Sequence, residues 1–194
     1  AWQIALQMLL DMSKVNCIPN EVSFSAGISA CEKVIQWQLA LQLLSDMYEA
    51  TVRPNEITYS ATISACEKAG RWQEAIQLLV DMPAAAAVPN EVSYSACISA
   101  CEKGRQWQTG LQLLREMPLS RLVPNIISFN ASISACARCG QWLTAIQLLS
   151  EMAVGSVVPD MDSFEGCVRA CEEAGQCRVT LHLLASMPAA SLIQ

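Results

Sequence analysis

A chain of 194 residues is long enough to bury a sizeable apolar core, and 53% hydrophobic against 15% charged residues excludes a charged disordered segment. A net charge of −6 excludes a surface built wholly to attract phosphate, so any nucleic-acid site must be local. Gln, Glu, Asp, Lys or Ser interrupts every Leu-rich stretch before it reaches the roughly 18 to 20 apolar residues of a membrane-spanning helix, which predicts a soluble chain with no membrane partner.

The first segment, from Ala1, is amphipathic and has no basic start, apolar centre or cleavage site, so no targeting segment is read in it. Residues 1–20 read as a partial unit, a second helix and its linker. The first whole unit, 21–55, opens with Phe24, Ile28 and Cys31 at i, i+4 and i+7, which predicts a helix of about three turns over Val22–Lys33. After a short break, Trp37, Leu41, Leu44 and Met47 continue the pattern and predict a second, antiparallel helix. Residues 48–54 are expected to form the link. There Pro54 disfavours helix in the residue before it, and Asn55 can cap the helix that follows.

The same reading holds for 56–90, 91–125 and 126–160, and for a nearly complete, degenerate unit at 161–194. Cys31, Cys66, Cys101, Cys136 and Cys171 fall at one interval of 35 residues, as do Pro19, Pro54, Pro89, Pro124 and Pro159. Trp2, Trp37, Trp72, Trp107 and Trp142 share the interval, with Cys177 next, and Met12, Met47, Met82, Met117, Met152 and Met187 complete it. A period of this size predicts stacked helical hairpins, since one hairpin cannot bury both of its apolar faces. Both chain ends cut into the pattern, so a fragment of a longer array is expected.

The ten cysteines could suggest a disulfide framework, but ladder positions on stacked helices lie about 8 to 10 Å apart, beyond the ~7 Å Cα reach of a disulfide, so reduced thiols are expected. Cys136 and Cys139 form a CxxC, with Cys167, Cys171, Cys177 and His182 as conceivable partners. A structural zinc site needs a second well-spaced pair, so no metal is expected. His182 replaces the Gln of Gln42, Gln77, Gln112 and Gln147 and reads as a surface substitution. The Trp ladder opens each second helix in phase with its leucines, which predicts packing between units rather than base stacking.

At roughly 100° per residue, Val22, Ser25, Ser29 and Lys33 lie opposite the packing face of Phe24, Ile28 and Cys31. The stripe recurs as Ile57, Ser60, Ser64, Lys68, as Val92, Ser95, Ser99, Lys103, and as Ile127, Asn130, Ser134, Arg138. Stacked first helices would thus present an apolar rung, small hydrogen-bonding rungs and a cationic rung per unit. The lysines could equally sit at helix C-termini for the macrodipole alone.

The 35-residue period, the aromatic followed by a small polar residue (Phe24-Ser25, Tyr59-Ser60, Tyr94-Ser95, Phe129-Asn130), Glu-Lys-Ala-Gly-Arg at 67–71 and the closing Pro-Asn or Pro-Asp together resemble the pentatricopeptide repeat family. The resemblance implies an all-α, right-handed α-solenoid of helix-turn-helix hairpins that binds single-stranded RNA at about one base per repeat. It implies that base edges are read by the pairs Ser25 with Asn55, Ser60 with Asn90, Ser95 with Asn125, and Asn130 with Asp160. Val22, Ile57, Val92 and Ile127 would pack on base faces, and Lys33, Lys68, Lys103 and Arg138 would meet phosphates. In the family, Ser with Asn looks like a choice of adenine and Asn with Asp a choice of uracil, so the implied core is AAAU. The last unit departs, with Asp162, Glu165 and Glu173 in place of the apolar, small polar and cationic residues.

The resemblance also implies a role in transcript stability, processing, editing or translation in a mitochondrion or chloroplast, alongside other RNA-processing proteins. The zinc-deaminase elements of some plant relatives are absent, because Leu183 and Leu184 follow the single His182, so no enzyme and no cofactor is expected. From a different class, the same hairpins could form a protein–protein interaction scaffold. Such a scaffold gives no reason to vary only the base-contacting positions while the rungs stay in register.

Overall fold

The computed structural model describes residues 3, 4, 7 and 19–186. Trp2, Met12 and Met187 lie outside the described residues, as do most of the half unit 1–20 and the last residues of 161–194. The described residues form no strand and hold 10 α-helices. They are α1 Glu21–Lys33, α2 Trp37–Glu49, α3 Glu56–Lys68, α4 Trp72–Asp81, α5 Glu91–Lys103, α6 Trp107–Leu119, α7 Ile126–Arg138, α8 Trp142–Val154, α9 Met161–Glu173 and α10 Cys177–Ser186. None is long and apolar enough to cross a membrane, among the described residues.

The chain divides into two units, 1–100 and 101–194, with the boundary inside α5. In the first unit α1 packs on α2 and on α3, α2 on α3, and α3 on α4. In the second, α7 packs on α6, α8 and α9, while α9 also packs on α8 and α10. Within each unit a first helix, α1 or α7, thus lies against both its own partner and the next first helix, which is the stacking of hairpins that the period predicts.

The ladders expected to pack are buried. Ile28, Ile63, Ile98 and Ile133, Met47, Met82, Met117 and Met152, and Cys31, Cys66, Cys101, Cys136 and Cys171 are all 0% exposed. Each fully buried Ile or Met contributes roughly 1.5 to 3 kcal/mol of transfer free energy, so these positions dominate the stability of both units. The cysteines among the described residues are free. Burial pushes the thiols of Cys101 and Cys136 up to about 11 and that of Cys66 up to about 12, which keeps them protonated and inert at neutral pH.

Trp37, Trp72, Trp107 and Trp142 are only half-buried, unlike Ile28, Ile63, Ile98 and Ile133. A ring at the first position of a helix keeps one face toward the loop before it, and the Arg71 guanidinium sits 4.5 Å from the Trp37 ring centre, covering that side by a cation–π contact.

Two left-handed corners shape each hairpin of the four whole units. The first follows the first helix, where Gly70, Gly140 and Gly175 have φ of 69°, 68° and 69° and the equivalent Ile35 and Arg105 have 58° and 55°. The Gln36, Arg71, Gln106, Gln141 and Gln176 amides then donate back to the carbonyls of Cys31, Cys66, Cys101, Cys136 and Cys171. The second corner, at Thr51, Ala86, Arg121 and Ser156, follows the second helix. Because this corner ends the helix, α2 runs on through Tyr48 to Glu49, and the link is shorter than the expected 48–54. The shorter α4 passes into a 3-10 turn at Met82–Ala85.

Ile35 pays the steric cost of a β-carbon in the left-handed region, roughly 1 to 2 kcal/mol, and at 50% exposure it buries little in return. Ile35→Gly is therefore expected to stabilise the protein by about 1 kcal/mol after the entropy of glycine is counted, as measured by urea unfolding followed by circular dichroism. A loss of stability would contradict this corner geometry.

Candidate nucleic-acid interface

Four backbone N–H groups at the start of any helix have no partner within it, and an Asn or Asp before the helix can satisfy one of them with its side-chain oxygen. The Pro-Asn and Pro-Asp ends of the units do this. Oδ1 of Asn55, Asn90, Asn125 and Asp160 accepts from the backbone N–H of Thr58, Ser93, Ser128 and Ser163 at 2.9, 2.9, 3.0 and 3.0 Å. The hydroxyls of these four residues accept in turn from the cap backbone N–H groups at 2.8, 2.9, 3.0 and 3.2 Å. With Oδ1 engaged, an Asn has its Nδ2 donors left to offer a ligand, and an Asp has the acceptor Oδ2.

Direct hydrogen bonds form within expected base-edge pairs. The Ser60 hydroxyl donates to Asn90 Oδ1 at 3.5 Å, and Asn130 Nδ2 donates to Asp160 Oδ1 at 2.9 Å. In the first pair both members turn to Glu21 instead: Ser25 donates to its backbone carbonyl at 2.7 Å and Asn55 Nδ2 to its carboxylate. Ser60 and Ser95 are buried, whereas Ser25 and Asn130 are half-buried. Burial alone would push the Asp160 carboxyl up, but hydrogen bonds from the Ser163 backbone, the Asn130 amide and the Ser163 hydroxyl outweigh it and hold the group below its ordinary value.

Val22, Ile57, Val92 and Ile127, one turn before these polar residues, are 74, 63, 59 and 60% exposed although the opposite faces of their helices are fully buried. An apolar side chain repeated at one exposed place offers a flat, dry surface to a ring. Lys33, Lys68, Lys103 and Arg138 end α1, α3, α5 and α7 and are exposed.

The sequence reading missed what two of these cations touch. Lys68 Nζ lies 2.9 Å from Glu32, and Arg138 Nη2 lies 3.4 Å from Glu102, which also accepts from the Ser134 hydroxyl at 2.8 Å. The signal was present as Cys-Glu-Lys at 31–33, 66–68 and 101–103. Pairs this exposed contribute about 0 to 1 kcal/mol, so a phosphate can displace the carboxylate at small cost. In the last unit, Asp162, Glu165 and Glu173 are exposed. Arg169, which replaces the Ser of the small polar rung there, reaches back to donate to the Ser134 hydroxyl at 3.3 Å. Among the described residues no group of three His, Cys, Asp or Glu side chains could hold a metal ion.

A family model described as the pentacotripeptide-repeat region of PRORP matches residues 19–190. The chain belongs to the pentatricopeptide repeat family. Solved pentatricopeptide repeat structures share its fold. The PPR domain of Arabidopsis thaliana protein-only RNase P 1 in complex with tRNA superposes with a TM-score of 0.75 at 15% identity, over 85% of this chain and 87% of that one. The pentatricopeptide repeat protein PPR10 in complex with an 18-nt psaJ RNA element gives 0.73 at 21% identity over 94% and 27%. Nuclear proteinaceous RNase P 2 from A. thaliana gives 0.76 at 12% identity over 87% and 38%. The chain thus spans well under half the length of the latter two. No curated protein matches it. As a pentatricopeptide repeat protein, it carries at the last residue of each whole unit the Asn or Asp whose capping bond has just been described.

Proposed function

We propose that this segment binds single-stranded RNA at about one base per repeat, with a preferred core AAAU, and that it binds without catalysing. The observation that carries the reading is the capping bond, which engages Oδ1 and so turns the Nδ2 of Asn90 and the Oδ2 of Asp160 toward a ligand. Adenine presents a ring acceptor beside an amino donor. In the second unit Asn90 Nδ2 would donate to that ring nitrogen, and the Ser60 oxygen, its proton committed to Asn90, would accept from the amino group. Uracil presents a ring N–H flanked by carbonyls, which suits Asp160 Oδ2 accepting and the second Asn130 amide proton donating. The apolar rung packs on base faces and the cations meet phosphates, which adds a salt-dependent, sequence-independent contribution. That two similar structures were solved with RNA supports this reading. On the resemblance alone we place its action in a mitochondrion or chloroplast, in transcript stability, processing, editing or translation, alongside other RNA-processing proteins.

Fluorescence anisotropy at low salt is expected to show about tenfold tighter binding to an RNA containing AAAU than to one of equal length containing CCCC, with both weakening as salt rises. Absence of binding, or equal affinity for all four homopolymers, would overturn the reading in favour of an interaction scaffold.

A further inference from the structure

The hydroxyl at the third position of α3, α5, α7 and α9 is a fully buried rung: Thr58, Ser93, Ser128 and Ser163 are all 0% exposed. In three units this hydroxyl serves only its own cap. Thr58, Ser93 and Ser128 accept from the cap N–H and return their proton to the cap backbone carbonyl at 2.7, 2.8 and 2.8 Å. Ser163 differs. Its oxygen accepts from the Asp160 N–H and lies 2.6 Å from Asn130 Oδ1 and 2.9 Å from Asp160 Oδ1, so its single proton bridges the two side chains that read the fourth base.

The consequence follows from hydrogen-bond capacity. Asn130 has one carbonyl oxygen and one NH2 group, and its amide can be turned by half a rotation at little steric cost. Here the oxygen is fixed by the Ser163 hydroxyl and one N–H by Asp160 Oδ1, which leaves the second N–H as the group to offer. Without the hydroxyl, Asn130 Oδ1 loses its partner and the bond to Asp160 alone holds the amide, so the pair is fixed less firmly in the orientation that offers the second N–H.

We infer that Ser163 is a specificity-determining positioning residue, which holds Asn130 and Asp160 in the donor-beside-acceptor arrangement that selects uracil. The inference rests on the RNA-reading proposal above and deepens it. Ser163 touches no base; it acts through Asn130 and Asp160.

The test compares Ser163→Ala, Ser163→Thr and Ser128→Ala with the unaltered chain, using RNAs that differ only in the fourth base. Ser163→Ala is expected to lower the preference for AAAU over AAAA by about five- to tenfold while circular dichroism shows an unchanged helix content. Ser163→Thr is expected to restore it, because Thr58 fills the equivalent place in the second unit. Ser128→Ala removes the same kind of cap hydroxyl without a bridge to a reading pair, and should leave the fourth-base preference intact. If Ser163→Ala keeps the full preference, or Ser128→Ala loses as much, the inference is wrong while the RNA reading stands. An unaltered chain with no fourth-base preference would overturn the base assignment itself, and the role of Ser163 with it.

Discussion

Replacing Asn130→Ser together with Asp160→Asn is expected to move the fourth base preference of the protein from uracil to adenine. The two substitutions convert the pair into the Ser-with-Asn arrangement of the other whole units, so the acceptor Oδ2 of Asp160 becomes a donor Nδ2. That donor meets the ring acceptor of adenine and opposes the ring N–H of uracil. The cap survives, because Asn at this place accepts from the third-position N–H just as Asn125 does from Ser128. Neither side chain contributes to the buried ladders, so the melting temperature should change little. A good base-edge contact discriminates by about 1 to 3 kcal/mol, which corresponds to a change of roughly 5- to 150-fold in the AAAU to AAAA affinity ratio. A folded double variant that still prefers AAAU by the original margin would show that these residues do not read the base.

Ile133→Ala is expected to destabilise the second unit by about 2 to 5 kcal/mol, the range for emptying a fully buried aliphatic position. Against a typical stability of about 5 to 15 kcal/mol, this is a large fraction of what holds a small domain folded. The packing at this place is tight enough to couple neighbours. A β-carbon built on Gly166 of α9 would lie 2.8 Å from Ile133 Cγ2, closer than such atoms approach. Gly166→Ala should therefore fail to stabilise the unaltered chain, although Ala is the better helix former by about 1 kcal/mol. In the Ile133→Ala background the methyl has room, and the same substitution should recover about that amount. Urea unfolding of the four proteins measures both claims. A cost for Ile133→Ala below about 1 kcal/mol, or additivity of the two substitutions, would refute the close contact between α7 and α9.

Much of the fold was legible in the sequence because it depends on what repeats along one helix. The in-phase Ile, Met and Cys ladders are the buried ones, and the Pro-Asn ends are helix caps, since burial of an apolar stripe and capping are properties of a helix and its next turn. The exposure of Val22, Ile57, Val92 and Ile127 opposite that stripe follows from the same 100° step. The end of α2 did not follow, because it depends on a corner held by a residue that is not glycine, at Thr51. The half-burial of the tryptophans was likewise hidden, since periodicity places a ring on a face without saying how far the neighbour covers it.

What only the tertiary structure decided is the pairing of polar groups between helices. Glu32 with Lys68, Glu102 with Ser134 and Arg138, and Ser163 with Asn130 join residues more than 30 positions apart in sequence. Periodicity brings such residues to the same side of neighbouring helices, but a hydrogen bond is decided within a few tenths of an ångström and by which of two acceptors takes a single proton. Four units share nearly the same sequence at the cap, and the Ser163 proton reaches across to the preceding first helix, because Asn130 stands where the others have Ser and is long enough to meet it.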